Sequence, residues 1–228
     1  MKKALILDGY GTLFFTGTGS VDAAGKVLAK RGRFDLDAKE FYARWKQIHR
    51  QHLEAPGTFL TEEVLYHRDL RELYAEYAIE GDPDEDVQIM LDILGNRTAY
   101  PEVKEVLEKL SHRMTLCIGS TSDTAPLLQD LERSGLPVSR VFTSEGLRVY
   151  KPHRSFYRSI LKQLGLEASQ TLFVGDSLRD DVFGPQRVEM QACWVNRKGE
   201  QAEDVTPDFE IRDLRGCLLY TSPSPRDS

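Results

Sequence analysis

Four short stretches carry residues able to do covalent chemistry on a small polar substrate. Asp8 ends the apolar run Leu5-Ile6-Leu7, and Gly9-Tyr10-Gly11-Thr12 then turns the chain sharply. Ser120 and Thr121 close the run from Leu116 to Gly119, and Lys151 sits between Val149-Tyr150 and Pro152. Asp176 follows Phe173-Val174-Gly175, with Asp180 and Asp181 behind it. A carboxylate such as Asp8, attacking phosphorus or an sp3 carbon, splits a hard hydrolysis into two easier steps through a covalent aspartyl intermediate. Thr12 and Ser120 have hydroxyls to donate to the transferring group or to the Asp8 carboxylate. Lys151 supplies a point positive charge to neutralise Asp8 and substrate oxygens. Singly, each has a plainer role: a turn residue, a helix N-cap or a solvated lysine. Their shared position at the ends of apolar runs argues for chemistry.

Those runs read as strands of a parallel sheet, apolar at every position because both faces are covered. Ligands of such sheets bind at the carboxyl ends of the strands. Strands are expected over 3–7, 114–118, 140–143, 171–174 and 192–195, with an edge strand over 209–211. Helices are expected from Tyr100-Pro101-Glu102, over 126–133 closed by Gly135, and over 155–164 stopped by Gly165. Val149-Tyr150 reads as a further strand-like run that Pro152 breaks, leaving Lys151 at a loop-to-helix junction. Strands alternating with helices predict right-handed parallel crossovers. From Ser20 to about Gly95 no strand is evident, and four helical segments follow one another. Ser20 or Asp22 is expected to cap the first, which ends before Gly32. Asp37 opens the second, where Phe41, Trp45, Ile48 and His52 recur at helical spacing. Thr61-Glu62-Glu63 opens the third, and Asp82-Pro83-Asp84 the fourth, with Pro83 at N1. The expected fold class is therefore α/β, a doubly wound parallel sheet with an all-helical cap inserted after the first strand. The core is placed at 1–15 and 96–219, the cap at 16–95. Residues 220–228, with two prolines and almost nothing apolar, read as a non-native or disordered tail.

The chain has 228 residues, a length that suits one α/β core plus an insertion. Thirty Lys and Arg against 36 Asp and Glu leave a net charge of −6, which argues against a broad nucleic-acid surface. A small anionic substrate remains open, since local charge in a cleft decides that. Three scattered cysteines without a Cys-x-x-Cys pattern suggest a reducing compartment and no zinc site. No apolar run reaches membrane-spanning length, and the N-terminus enters the first strand directly rather than as a signal peptide, so the cytoplasm is expected. His49, His52, His67, His112 and His153 form no ligand-spaced set and read as surface or packing residues. Trp45 reads as packing within the cap.

The ordered set Asp8, Ser120-Thr121, Lys151 and Asp176 with Asp181 resembles the four motifs of the haloacid dehalogenase superfamily, over Lys2 to about Leu219. The resemblance implies that Asp176 and Asp181 form the acidic pair (Gly-Asp-Ser-x-x-x-Asp), leaving Asp180 as the extra, more exposed one. Asp8 then joins two further carboxylates in one cleft. Two like charges about 4 Å apart repel by roughly 4 kcal/mol at an effective dielectric of about 20, and Lys151 alone cannot balance three. A hard divalent cation can, so Mg2+ is the expected cofactor, held by Asp8, Asp176 and Asp181, and the resemblance implies that the main-chain carbonyl of Tyr10 completes the protein ligands. Substrate contacts are expected from Ser120, Thr121, Lys151 and Lys46.

Within the superfamily, most phosphatases carry an acid-base Asp two residues after the nucleophile, where this chain has Tyr10. Asp8-Gly9-Tyr10-Gly11-Thr12-Leu13 looks like the 2-haloacid dehalogenase branch, whose halide leaving group needs no proton. Val149-Tyr150-Lys151-Pro152, Tyr157 and the segment from Cys193 to Gly199 add to that likeness. Against it, the dehalogenase cap Arg aligns with Lys46, and Gly175-Asp176-Ser177 replaces the dehalogenase Ser-Ser-Asn segment. The leading expectation is a Mg2+-dependent hydrolase of small phosphate monoesters, with Asp8 as nucleophile and water or Tyr10 as an imperfect proton donor. Metal-free 2-haloacid dehalogenase is the alternative, and a weak phosphate-binding pseudoenzyme the second alternative. A response-regulator receiver shares the Asp, Ser/Thr and Lys set but is shorter and lacks a cap. The expected partner is a small molecule, with neither nucleic acid nor membrane.

Overall fold

The computed structural model describes residues 2–55, 57–202 and 204–220. The first apolar run forms β1 (Ala4–Leu7), with every residue buried. Further strands are β4 (Thr115–Ser120), β5 (Arg140–Thr143), β6 (Thr171–Gly175), β7 (Gln191–Val195) and β8 (Phe209–Ile211); a separate antiparallel pair joins β2 (Phe14–Phe15) to β3 (Thr98–Ala99). The main sheet runs β5-β4-β1-β6-β7-β8, and all its neighbours are parallel. This is the expected Rossmann-like α/β class. The chain builds outward from β1 through β4 to β5, then crosses to β6 on the other flank. The order reverses at β1, where such sheets bind ligands. Leu7 is level with Ile118 of β4 and Val174 of β6, so Asp8, Ser120 and Asp176 emerge at the same edge within one residue of each other.

The sheet core follows from the pleat. Ala4 and Ile6 share one face with Cys117, Phe142 and Phe173, packed against Phe156, Tyr157 and Ile160 of α8 (Arg154–Leu164). The other helices of this unit are α5 (Val103–Ser111), α7 (Ser144–Leu147), α9 (Gly184–Gln186) and α10 (Cys217–Tyr220), with the ends of α6 (Thr124–Ser134). Gly135 and Gly165 close α6 and α8 in the left-handed conformation, as their positions predict. Val149 and Tyr150 are not a strand. After β5 the chain makes α7, then Arg148 takes a left-handed conformation at its end, and a loop carries Lys151. Of the expected tail, only Tyr220, within α10, falls in the described residues.

A second unit comprises Thr16–Arg97 with Ala125–Asp130. It contains α1 (Gly19–Lys30), α2 (Ala38–Glu54), α3 (Glu62–Glu76) and α4 (Asp84–Leu91). Asp37 caps α2 through Lys39 N and Glu40 N, and Thr61 caps α3 through Val64 N, as the sequence suggests. The start of α1 differs. Thr18 is at the N-cap, and its hydroxyl donates to Asp22 (2.8 Å), so neither Ser20 nor Asp22 caps the helix. Likewise Pro83 is the N-cap of α4 rather than its first residue. Ala24, Val27 and Leu28 pack with Phe41, Trp45, Ile48, Leu70, Leu73 and Met90 to form this unit's core. No described helix is long and apolar enough to cross a membrane.

Two histidines depart from their plain reading. Fully buried Asp69 takes His49 Nδ1 on Oδ2 and His52 Nδ1 on Oδ1, each at 2.6 Å, and Trp45 Nε1 donates to Oδ2 at 3.2 Å. His49 also faces Glu62 (3.7 Å) and stacks on Tyr66, while His52 faces Glu72 (3.2 Å). Burial pulls the His49 imidazole down, but Asp69 and Glu62 outweigh it and raise it from 6.5 to about 9. A histidine raised on folding contributes stability fully below its unfolded value and loses it as pH rises through the folded one. The melting temperature should therefore fall between pH 6.5 and about 9, and His49→Gln should flatten that fall. Parallel melting profiles of the two proteins across this window would refute a charged His49.

Candidate active site

The turn after β1 is tied by Leu13 N and Phe14 N to Gly9 O (2.8 and 3.0 Å) and by Gly11 N to Phe14 O (2.8 Å). Gly11 has φ +95°, and a Cβ there would lie 2.3 Å from Asp176 Oδ2, so glycine is required for conformation and for space. Thr12, expected to donate to the transferring group or to the Asp8 carboxylate, gives its hydroxyl to Asp176 Oδ1 (3.0 Å). Tyr10 is half-buried, its ring 6.0 Å from that of Phe14.

Asp8 is buried, and Lys151 Nζ, 2 % exposed as a side chain, donates to Asp8 Oδ1 and Asp181 Oδ1, both at 2.7 Å. Asp181 lies on a π-helical turn (Leu178–Phe183), a wide helical geometry often met at functional sites. Ser177 N donates to Asp181 Oδ2 (3.0 Å), Ser177 Oγ caps Asp180 N (3.1 Å), and the Tyr157 hydroxyl donates to Asp180 O. A Cβ on Gly175 would strike Asp181 Cγ at 2.2 Å, so this glycine makes the room that the carboxylate occupies. One carboxylate oxygen from each of Asp8, Asp176 and Asp181 lies within 4.8 Å of the others. Asp180 is outside that cluster, but it is half-buried, and Asp176 rather than Asp180 is the most exposed of the three acidic residues after β6.

Burial raises the Asp8 carboxyl, with Asp181 and Asp176 adding to the effect and Lys151 opposing it, to about 8. Although the residue as a whole is exposed, desolvation of its carboxyl group and the Asp181 charge raise Asp176 to about 6, against the Thr12 bond. Burial lowers Lys151, but Asp181 and Asp8 outweigh it and hold its ammonium well above its ordinary value. Lys151 thus keeps its proton, and Asp8 and Asp181 share that one cation. Three hard oxygen donors with surplus negative charge form a set that suits a small divalent cation such as Mg2+.

Ser120 is buried at the end of β4, and Thr121 Oγ1 beside it is buried without a hydrogen-bond partner. An orphaned buried hydroxyl is costly and is a ready donor to a ligand. Lys46 lies exposed on α2, its Nζ 5.7 Å from the Tyr42 ring. Two contributors were not singled out from sequence. Trp194 Nε1 donates to Asp176 O (3.0 Å), and Arg197 Nη2 donates to Thr12 O (2.9 Å) and to Glu102 Oε1 (2.7 Å). The only sequence signal for them was the likeness of the segment from Cys193 to Gly199, which assigned them no role.

The sequence profile of haloacid dehalogenase-like hydrolases matches residues 2–187. Haloacetate dehalogenase H-2 of Moraxella sp. (strain B) is 26% identical over 221 residues, covering 92% of this chain and 95% of its own length. Pyrimidine 5'-nucleotidase PynA of Streptococcus pneumoniae (strain ATCC BAA-255 / R6) is 26% identical over 231 residues, covering 95% of this chain and 94% of its own. Among solved structures, the magnesium-bound putative HAD-hydrolase YfnB from Bacillus subtilis superposes with a TM-score of 0.81 at 21% identity, covering 96% of this chain and 98% of that one.

Proposed function

Since this chain belongs to the haloacid dehalogenase-like hydrolases, we propose that it hydrolyses a small phosphate monoester with Asp8 as nucleophile and Mg2+ as cofactor. The convergence of Asp8, Asp176 and Asp181 within 4.8 Å around a single lysine carries this reading. Asp8, Asp176, Asp181 and the main-chain carbonyl of Tyr10 would hold Mg2+, which when bound would offset their charge and that of the phosphate oxygens. Lys151 orients Asp8 by its bond to Oδ1. The Asp8 carboxylate attacks phosphorus, the phosphorus–oxygen ester bond breaks, and water or the Tyr10 hydroxyl protonates the departing alkoxide. Water then attacks the aspartyl phosphate, releasing phosphate and restoring Asp8. Ser120 and the unpartnered Thr121 hydroxyl donate to the phosphoryl oxygens. The nucleotidase likeness and the magnesium-bound neighbour support this reading.

A second reading, 2-haloacid dehalogenation, is favoured by Tyr10 in place of an acid-base Asp and by the haloacetate dehalogenase likeness. There Asp8 would displace halide from carbon without metal, and Lys46 would receive the leaving group. Asp176, its charge unopposed by metal, would then face an anionic substrate. Metal dependence separates the two. Excess chelator should abolish hydrolysis and added Mg2+ restore it. Asp176→Asn should lower the Mg2+-supported rate at least about 100-fold, beyond the usual cost of losing an outer-shell partner. Undiminished turnover in chelator would reject the phosphatase reading in favour of dehalogenation.

A further inference from the structure

We propose that Trp194 and Arg197 are positioning residues that together fix Asp176 for cation binding. The inference rests on reading Asp8, Asp176 and Asp181 as the cation site. Both lysine bonds in that cluster go to Asp8 and Asp181, so Asp176, the exposed member, must be held by other groups. β7 and the turn after it supply them. Trp194 is level with Gly175 in the sheet, and its buried indole donates to the Asp176 carbonyl at 3.0 Å. Two residues past β7, Arg197 donates to the Thr12 carbonyl at 2.9 Å, and Thr12 passes its hydroxyl to Asp176 Oδ1 at 3.0 Å. The guanidinium is itself fixed, by buried Glu102 at 2.7 Å and by the Tyr100 ring, 3.6 Å from its centroid. Asp176 is thereby held at its carbonyl and at one carboxylate oxygen, while Gly11 leaves room for its side chain. Contacts serving only to pin a strand end would have no reason to converge on Asp176 and on Thr12, the residue whose hydroxyl bonds its carboxylate. Outer-shell groups that orient a ligand matter because a site aligned before binding needs no rearrangement when the cation arrives.

The test is Mn2+ binding to the purified full-length chain, by calorimetry and by the Mn2+ electron paramagnetic resonance signal, with melting temperature as a separate readout. Trp194→Phe keeps an aromatic ring and removes the N–H; Arg197→Met keeps the stem and removes the donors. Each should weaken Mn2+ binding about 10–100-fold with little change in melting temperature. The double variant should lose less than the product of the two, because both act on Asp176. Arg197→Lys, able to reach the Thr12 carbonyl with one donor, should recover part of the loss. Variants that bind Mn2+ within about twofold of the wild type overturn the inference, as does a loss of affinity that merely follows a loss of melting temperature. If Arg197→Met fails to fold, Trp194→Phe, which leaves the Arg197–Glu102 pair intact, decides alone. A wild type that binds neither Mn2+ nor Mg2+ overturns the cation-site reading itself, and this inference with it.

Discussion

Asp8→Asn should remove turnover, by a factor on the order of 10⁴–10⁶, while leaving the protein folded. Asparagine keeps the shape of the side chain and an acceptor for Lys151 Nζ, so the 2.7 Å contact at Oδ1 survives. What it loses is the anionic oxygen that forms the covalent intermediate. The fold should tolerate the change because burial and the two neighbouring carboxylates already raise Asp8 to about 8, and Lys151 retains Asp181 as its counter-ion. The change therefore leaves no buried cation without a partner. Initial rates on a panel of phosphomonoesters and 2-haloacids, with a thermal melt on the same preparation, measure both effects. A variant that keeps most of the wild-type rate would exclude Asp8 as nucleophile for either substrate class.

Tyr10→Asp should raise phosphomonoester turnover by about 10²–10⁴-fold, the usual worth of a well-placed general acid-base. A phenol, with an ordinary pKa of about 10, can donate a proton but is a poor base for activating water near neutrality. A carboxylate two residues from Asp8 supplies that base, so the gain should come mainly from faster breakdown of the aspartyl intermediate. Tyr10 is half-buried, its ring 6.0 Å from that of Phe14, so the smaller side chain opens space there. A dehalogenase responds in the opposite sense, because the new charge stands beside an anionic substrate. A pseudoenzyme whose only defect is Tyr10 would gain activity from nothing. No phosphatase gain, combined with lost dehalogenation, would reject the phosphomonoester reading.

The sequence alone determined features whose physics is local. β1 was legible because a run apolar at every position has no stable place except a covered sheet. Asp37 and Thr61 were legible as caps because the donors they satisfy lie two or three residues ahead. Of the four helices of the second unit, α2 followed from the helical spacing of Phe41, Trp45, Ile48 and His52, and α1 and α4 from the residues that start or stop them. Asp8, Asp176 and Lys151 stood out because each ends an apolar run, and Asp181 through the motif spacing that the resemblance implies. Where several local solutions compete, the reading went astray: Thr18 rather than Ser20 or Asp22 begins α1, and Val149-Tyr150 lies in a loop because α7 follows β5 first. Tertiary structure alone decided the partners. Thr12 and Asp176 are separated by 164 residues and Arg197 and Thr12 by 185, so no spacing could show that one hydroxyl serves the acidic pair or that an arginine props it. His49 and His52 read as surface or packing residues, until α3 brought Asp69 between them. Hydrogen bonds act over about 3 Å, and only the packed sheet and helices bring such distant residues that close.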